Sequence, residues 1–292
     1  MILDSPSSTT RPRPTLVTGG TGKIGRRVVQ RLAARGVPVR VGSRSGTPRF
    51  DWEDRETWPG VLYDAESVLV SYYPDLAIPG AMAAVRSFAD LAVLSGVRRL
   101  VLVSGRGEEE AQRAEWVIRG TGTEWTIVRC AWFSQNFSEN YLLEPLLAGE
   151  VALPAGDVPE PFVDADDIAD VAVAALTENR HAGELYELTG PRLLTFAEAV
   201  AEIGEATGRE IRHVPVSVDE YAAALDRAGV PPVYVSLLTY IFSEVLDGRN
   251  AHLTDGVQRA LGRPPRDFRD YARAAAATGV WDPLPAQRTD AA

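Results

Sequence analysis

The fold is decided at residues 15–32, TLVTGGTGKIGRRVVQRL. The β-rich run Thr15–Thr18 gives way to Gly19, Gly22 and Gly25, and beyond them Ile24, Val28 and Leu32 recur at i, i+4 and i+8, the apolar face of an amphipathic helix. Glycine suits such a turn for three reasons: the turn is tight, the backbone must approach a pyrophosphate, and the helix N-terminus behind it offers free N–H groups and a partial positive charge. A glycine pattern alone could be only a tight turn, but the strand before it and the helix after it make it a dinucleotide-binding turn. Thr21, Lys23 and Ile24 complete the candidate cradle. Lys23 is the only lysine in the chain, and phosphate is its expected partner.

Outward from this turn, short β-rich runs alternate with helical patterns, the signature of βαβ units and a parallel sheet. The strand candidates are TLVTGG, VPVRVGS, RFDW, SVLVSYY, RRLVLVSG and TEWTIVRC. GAMAAVRSFADLAVLSG reads as a helix stopped by Gly96, and FSQNFSENYLLEPLLAGE also looks helical. Further on, DADDIADVAVAALTE opens a helix with aspartates, GELYELTG returns to strand, and two helices begin with capping boxes, Thr195 with Glu198 and Ser217 with Glu220. The stretch from Pro231 to Trp281 looks mainly helical. The expected architecture is α/β: a Rossmann-type doubly wound parallel sheet with a smaller C-terminal α/β lobe. Residues 1–13 read as a disordered Pro/Ser/Thr-rich tail, 14–150 as the dinucleotide-binding domain, and 151–292 as a mixed segment that returns to the sheet and forms a smaller lobe over it.

Charge and composition exclude several classes. A net charge of −10 repels a phosphate backbone, so direct nucleic-acid binding is not expected. No stretch reaches the roughly 18 uninterrupted apolar residues of a membrane span, and the N-terminus has no signal-peptide core. Cys130 is the only cysteine, so neither an internal disulfide nor a cysteine zinc site can form, which fits a reducing cytoplasm. His181, His213 and His252 are dispersed without metal-ligand spacing and read as structural or surface residues; no metal is expected. No G-x-S-x-G elbow occurs, and the acidic run at Asp164 reads as helix N-terminal charge rather than a metal site.

The end of the second strand decides between NAD and NADP, because a carboxylate there binds a ribose hydroxyl and an arginine accommodates a 2′-phosphate. Here Arg44 is flanked by Ser43 and Ser45 with no carboxylate, which points to NADP(H), unless Arg44 is merely a solvated loop residue. Asp51 could accept from the adenine amine and Trp52 could line that edge, although a buried tryptophan is as readily core. Ligands of doubly wound sheets lie outside the carboxyl ends of strands, which puts Tyr72 and Tyr73 of VSYYPD near the nicotinamide, as proton donor or as packing. Ser104 ends the next strand and could touch substrate or the nicotinamide ribose. After TEWTIVRC, the cluster Trp132, Phe133 and Phe137 could wall an apolar pocket with Asn136 as its placed polar group.

At these residues the chain resembles the NmrA-like branch of the atypical short-chain dehydrogenase/reductases. The match runs from TLVTGGTGKIG through GVRRLVLVSG and TEWTIVRCAWFSQNF to FVDADDIADVAVAAL and YELTGPRLLTFAEAVAEI, nearly the whole chain after the tail. RFDWEDRETW, VSYYPD and RCAWFSQNF look like the festuclavine/agroclavine dehydrogenases, and RCAWFSQNF is also similar to NADPH quinone reductases. The resemblance implies a Rossmann domain binding NADP(H), a C-terminal lobe closing over a small-molecule substrate, and reduction of a C=N, conjugated C=C or quinone group. It does not imply one substrate or an oligomeric state. The same branch contains catalytically silent NADP(H) sensors that act through protein partners, which is the alternative reading.

The chain departs from typical short-chain reductases after Ser104, where Glu108, Glu109, Glu110, Gln112 and Arg113 stand in place of the tyrosine and lysine used for proton transfer. Hydride delivery to a ketone leaves an alkoxide that needs a positioned acid, so a simple ketone reductase is disfavoured. A cationic iminium needs no proton, and a quinone or enone gives a delocalised, weakly basic anion. The chemistry is therefore expected to work without a dedicated protein acid. Glu109 or Glu110 could hold a cationic substrate, but a charge run at a helix start is more simply a solvated end favoured by the dipole.

Overall fold

The computed structural model describes residues 12–283. Its main sheet has six parallel strands in the order β2-β1-β3-β4-β5-β7, with β1 Thr15–Thr18, β2 Val39–Gly42, β3 Ser67–Val70, β4 Arg99–Gly105, β5 Glu124–Cys130 and β7 Glu184–Leu188. A parallel sheet is covered on both faces, so its strands read as nearly continuous apolar runs. Helices α1 (Lys23–Ala34), α6 (Ala165–Thr177) and α10 (Gly256–Leu261) cover one face, packing Ile24, Val28, Ile168 and Val257 on Val17, Leu69, Val101 and Val128. Helices α2 (Trp58–Leu62), α3 (Ala81–Leu94) and α4 (Glu109–Arg119) cover the other, packing Trp58, Phe88 and Ile118 on Leu16, Val68, Leu100 and Ile127. The alternation of Leu16 with Val17 and of Leu100 with Val101 is the two-residue period of a strand buried on both sides.

The smaller lobe has its own core. It contains α5 (Leu143–Ala148), α7 (Phe196–Thr207), α8 (Val218–Arg227), α9 (Pro232–Tyr240), α11 (Phe268–Ala276) and a two-stranded parallel sheet of β6 (Glu150–Leu153) and β8 (Arg212–Pro215). Phe137, Phe162, Phe196, Phe268 and Trp281 fill its centre. Both capping boxes form, at Thr195–Glu198 and Ser217–Glu220. A π-helical turn, Ile241–Val245, extends α9.

Three expectations need correction. RFDW is not a strand: Asp51 makes one isolated antiparallel bridge to Asp54, its carboxylate accepts from Glu53 N at 3.2 Å, and its own N–H donates to Thr57 Oγ1 at 3.0 Å. These local bonds offer the backbone an alternative to a ladder. FSQNFSENYLLEPLLAGE is helical only at Ser134–Phe137, as a 3₁₀ turn, and in α5. Between the two, Ser138 accepts from the Tyr271 hydroxyl and Glu139 pairs with Arg27, contacts that face different directions. Of the expected tail, residues 1–11 lie outside the described residues, whereas Arg13 is tied down by hydrogen bonds to Ala65 O at 2.8 Å and Gly96 O at 3.2 Å.

Candidate active site

The sheet order reverses between β1 and β3, and the glycine turn sits at that switch point. Gly19 has φ +61°, and a Cβ on Gly25 would stand 2.1 Å from Gly19 O, so neither position accepts a side chain without moving backbone. Gly22 N donates back to Gly19 O at 2.9 Å, while Thr21 and Gly22 face solvent. Helix α1 begins behind this turn with no side-chain cap and no acidic residue in its first turn, leaving its N-terminal field open to an anion. Ile24 is buried beneath the turn, whereas Lys23 points into the adjoining cavity. A dinucleotide fits this cradle.

At the end of β2, Ser43 is buried and Arg44 is exposed, its guanidinium 5.6 Å from the centroid of the Tyr73 ring. The nearby carboxylates are already engaged: Arg49 pairs with Asp51 at 2.8 Å and with Asp54 at 3.2 Å. Trp52 belongs to the core, one of the two places the sequence allowed it. It lies 8% exposed among Phe50, Trp58 and Phe88, stacks at 4.8 Å on Tyr72, and donates from Nε1 to Ser71 O at 3.1 Å.

A cavity of about 390 Å³ opens where β3, β4 and β5 end, with the smaller lobe as its far wall. Of the sequence-predicted residues it brings together Tyr72, Tyr73, Ser104, Trp132, Phe133 and Asn136, with Lys23 and Ile24 at the junction to the glycine turn. Lys23 Nζ donates to Asn136 Oδ1 at 2.5 Å, and burial pulls the lysine down to about 8. Tyr73 is largely exposed at the mouth, where the Tyr234 hydroxyl donates to its oxygen at 3.2 Å. Trp132 packs against Phe196 and Phe242 at 5.0 and 5.1 Å, and its buried Nε1 has no hydrogen-bond partner among the described residues. Phe137 was expected in this wall and is not there. It is fully buried against Phe162, Phe196 and Phe268, because the 3₁₀ turn that presents Asn136 to the cavity turns the next side chain into the lobe core.

Ser104 is 3% exposed, and its hydroxyl donates to Glu115 Oε1 at 2.7 Å. Glu115 is also held by Arg129 at 2.5 Å, Arg129 reaches Glu187 at 3.3 Å, and Glu187 accepts from Arg106 at 2.6 Å. This chain of ion pairs fixes the ends of β4, β5 and β7 beneath the cavity. Glu109 and Glu110 stand outside it, paired with Arg113 as a solvated helix start.

Sequence reasoning missed three carboxyls that line the cavity: Asp75, Glu108 and Glu160. Burial raises Asp75, and burial together with the nearby Asp75 holds Glu108 well above the usual carboxylate range. Burial pushes Glu160 up to about 7. The signal for the first two lay in YYPD and in the first of the three glutamates, whose position ahead of α4 separates it from Glu109 and Glu110. Cys130 also lines the cavity, with its thiol pushed up by burial, and so stays protonated. His181 is fully buried and bonds Tyr186 at 2.8 Å, and the described residues contain no group of His, Cys, Asp and Glu able to hold a metal. No helix among them is long and apolar enough to cross a membrane.

A doubly wound parallel sheet with a glycine cradle at its switch point and a cavity beside it defines a nicotinamide-dinucleotide-binding protein. The family model described as NAD(P)H-binding matches residues 19–179, and the chain belongs to that family; it is an NAD(P)H-dependent oxidoreductase. Among its relatives, agroclavine dehydrogenase of Claviceps fusiformis is 32% identical over 88% of this chain and 95% of that enzyme. The (4-alkanoyl-5-oxo-2,5-dihydrofuran-3-yl)methyl phosphate reductase of Streptomyces griseus subsp. griseus is 33% identical over 88% and 96%. An NADPH-dependent quinone oxidoreductase of Escherichia coli, solved in complex with NADPH, shares the fold with a TM-score of 0.72 at 22% identity, covering 89% of this chain and 99% of that one.

Proposed function

We propose that the protein is an NADPH-dependent reductase of a C=N, conjugated C=C or quinone group in a bulky aromatic or polycyclic small molecule. The cavity of about 390 Å³ carries this reading, since it lies beside the glycine cradle at the ends of β3 to β5 and falls in the size range of small-molecule sites. Its relatives, a clavine dehydrogenase and a dihydrofuranone phosphate reductase, agree with it. Gly19, Gly22, Gly25, the start of α1 and Lys23 hold the pyrophosphate. Arg44 with Ser43 takes the 2′-phosphate, which sets the preference for NADPH. The dihydronicotinamide, when bound, supplies a hydride. Tyr72, Trp132 and Phe133 sandwich the flat part of the substrate, exclude water and orient its acceptor atom at the ends of β4 and β5.

The test is the absorbance decay of NADPH, with NADH in parallel, against a panel of cyclic iminium ions, enones and quinones, after fluorescence titration has established cofactor binding. Decay with NADPH and one acceptor class is the expected result. Tight NADPH binding with no decay across the panel would favour the non-catalytic NADP(H)-sensing regulator, which an open cavity beside the cradle argues against.

A further inference from the structure

Asp75, in the loop after β3, and Glu108, in the turn before α4, meet side chain to side chain in the cavity. Among the described residues no arginine, lysine or histidine pairs with either, whereas the neighbouring carboxylates Glu115 and Glu187 are each held by an arginine. Two carboxylates in contact cannot both ionise without a counter-ion, so the pair keeps a proton between them. The local geometry says where it rests. Asp75 Oδ1 accepts from Ala77 N at 2.8 Å, which favours its ionised form. Glu108 has no such donor and folds against the end of β4, where a Cβ on Gly105 would stand 2.2 Å from its Oε1.

We propose that Asp75 and Glu108 share one proton, that Glu108 carries it, and that Glu108 is the catalytic acid which delivers it to the substrate atom made electron-rich by reduction. The proposal rests on the reductase reading above. For a conjugated enone, a C–H bond forms at the β-carbon with the hydride pair taken from NAD(P)H, and the C=C pair shifts through to the carbonyl oxygen. The Glu108 O–H bond breaks and its proton joins that oxygen. The acceptor is reduced by two electrons, the nicotinamide is oxidised, and the doubly ionised pair regains one proton from water. The acid sought in sequence at the helix after Ser104 thus stands one turn earlier, in the turn that precedes it.

Glu160 gives independent support for a ligand in this space. It is 2% exposed and lines the same cavity near Arg106, whose side chain is also buried and whose Nη2 has no hydrogen-bond partner among the described residues, an open donor that a ligand group would complete. The titratable groups lining the cavity around the pair are Lys23 from α1, Tyr72 and Tyr73 after β3, Arg106 after β4, Cys130 from β5, Tyr141 ahead of α5, Tyr234 from α9 and Glu160, with Tyr240 of α9 close to Glu108. Neither cation among them makes an ion pair with Asp75 or Glu108: Lys23 donates to Asn136, and Arg106 donates from Nε to Glu187 and from Nη1 to Asn250 O, while its buried Nη2 has no hydrogen-bond partner among the described residues.

The deciding measurement is an infrared pH titration of the cofactor-free protein. A protonated-carboxyl band should be present at neutral pH in wild type; E160Q should remove only the part that titrates near 7, and E108Q the part that persists above it. In D75N the Glu108 band should titrate at lower pH, because the like charge that holds the proton is gone. In turnover with a quinone or enone, E108Q should lose about 10²- to 10⁴-fold in kcat, the usual contribution of a general acid, with KM nearly unchanged and the solvent isotope effect abolished. A folded wild-type protein whose Glu108 is ionised at neutral pH overturns the shared proton, and full kcat in E108Q overturns its destination. Failure of wild type to oxidise NADPH with any acceptor sinks the reductase reading and the proton's destination with it, while the infrared titration still decides whether the pair shares a proton.

Discussion

Lys23 at the start of α1 donates from Nζ to Oδ1 of Asn136, in the turn after β5, across 2.5 Å. The contact joins the phosphate cradle to the cavity, so one side chain reports on both. Burial lowers Lys23 to about 8, partly opposed by Glu139. The sign follows: in the cofactor-free protein the ammonium is present below that pH and lost as pH rises through it, so affinity for the dinucleotide phosphates should be full at neutral pH and fall above about pH 8. Binding should then draw protons from solution near pH 8. Calorimetry in two buffers of different ionisation enthalpy measures that uptake, and Lys23→Met should abolish it together with the pH dependence of Kd. A flat Kd in wild type would remove Lys23 from the phosphate site.

Arg44 is exposed at the end of β2, free of any carboxylate among the described residues and lying over the Tyr73 ring. A charge-assisted contact to a 2′-phosphate is worth roughly 1.5–3 kcal/mol. Arg44→Ala should therefore weaken NADPH binding by about one to two decades and leave NADH nearly untouched. Equal effects on both cofactors, read by fluorescence titration, would return Arg44 to the solvated loop.

The Cβ that Gly25→Ala introduces would lie 2.1 Å from Gly19 O, with backbone on both sides of the contact. Neither partner can swing away as a long side chain would. The turn must open, and NADPH and NADH should both lose at least about tenfold in affinity, a change of about 1.4 kcal/mol, while circular dichroism retains the α/β signature. Unchanged affinity would mean that the cradle is not where the pyrophosphate binds.

What was legible in the sequence was whatever the period of a strand or helix, or the chemistry of a turn, encodes locally. The glycine turn, six of the seven proposed strands and both capping boxes are of that kind. RFDW deceived because Phe50 and Trp52 alternate as strand residues do, yet both are buried by aromatic packing while Asp51 and Asp54 bend the chain. Glu108 was hidden for the opposite reason. Three adjacent glutamates look alike, and only the start of α4 divides one facing the cavity from two facing Arg113. Asp75, Glu160 and Tyr234 reach the site from separate segments, a convergence that tertiary packing alone produces.

Trp132 and Phe137 come from one aromatic-rich stretch, and the structure assigns them opposite work. Phe137 sits in the lobe core against three phenylalanines, so Phe137→Ala should cost about 3–5 kcal/mol of stability, read as a lower urea midpoint, with KM for the acceptor near the wild-type value at temperatures where the protein stays folded. Trp132 lines the cavity with one face and packs on Phe196 and Phe242 with the other. Trp132→Ala should act chiefly on the substrate: losing one aromatic contact face, worth about 0.5–1.5 kcal/mol beyond its area, it should raise KM for aromatic acceptors by several-fold to tenfold while Kd for NADPH holds. If Phe137→Ala instead raised KM and left the urea midpoint in place, the wall expected from the sequence would be restored and the core position of Phe137 would be wrong.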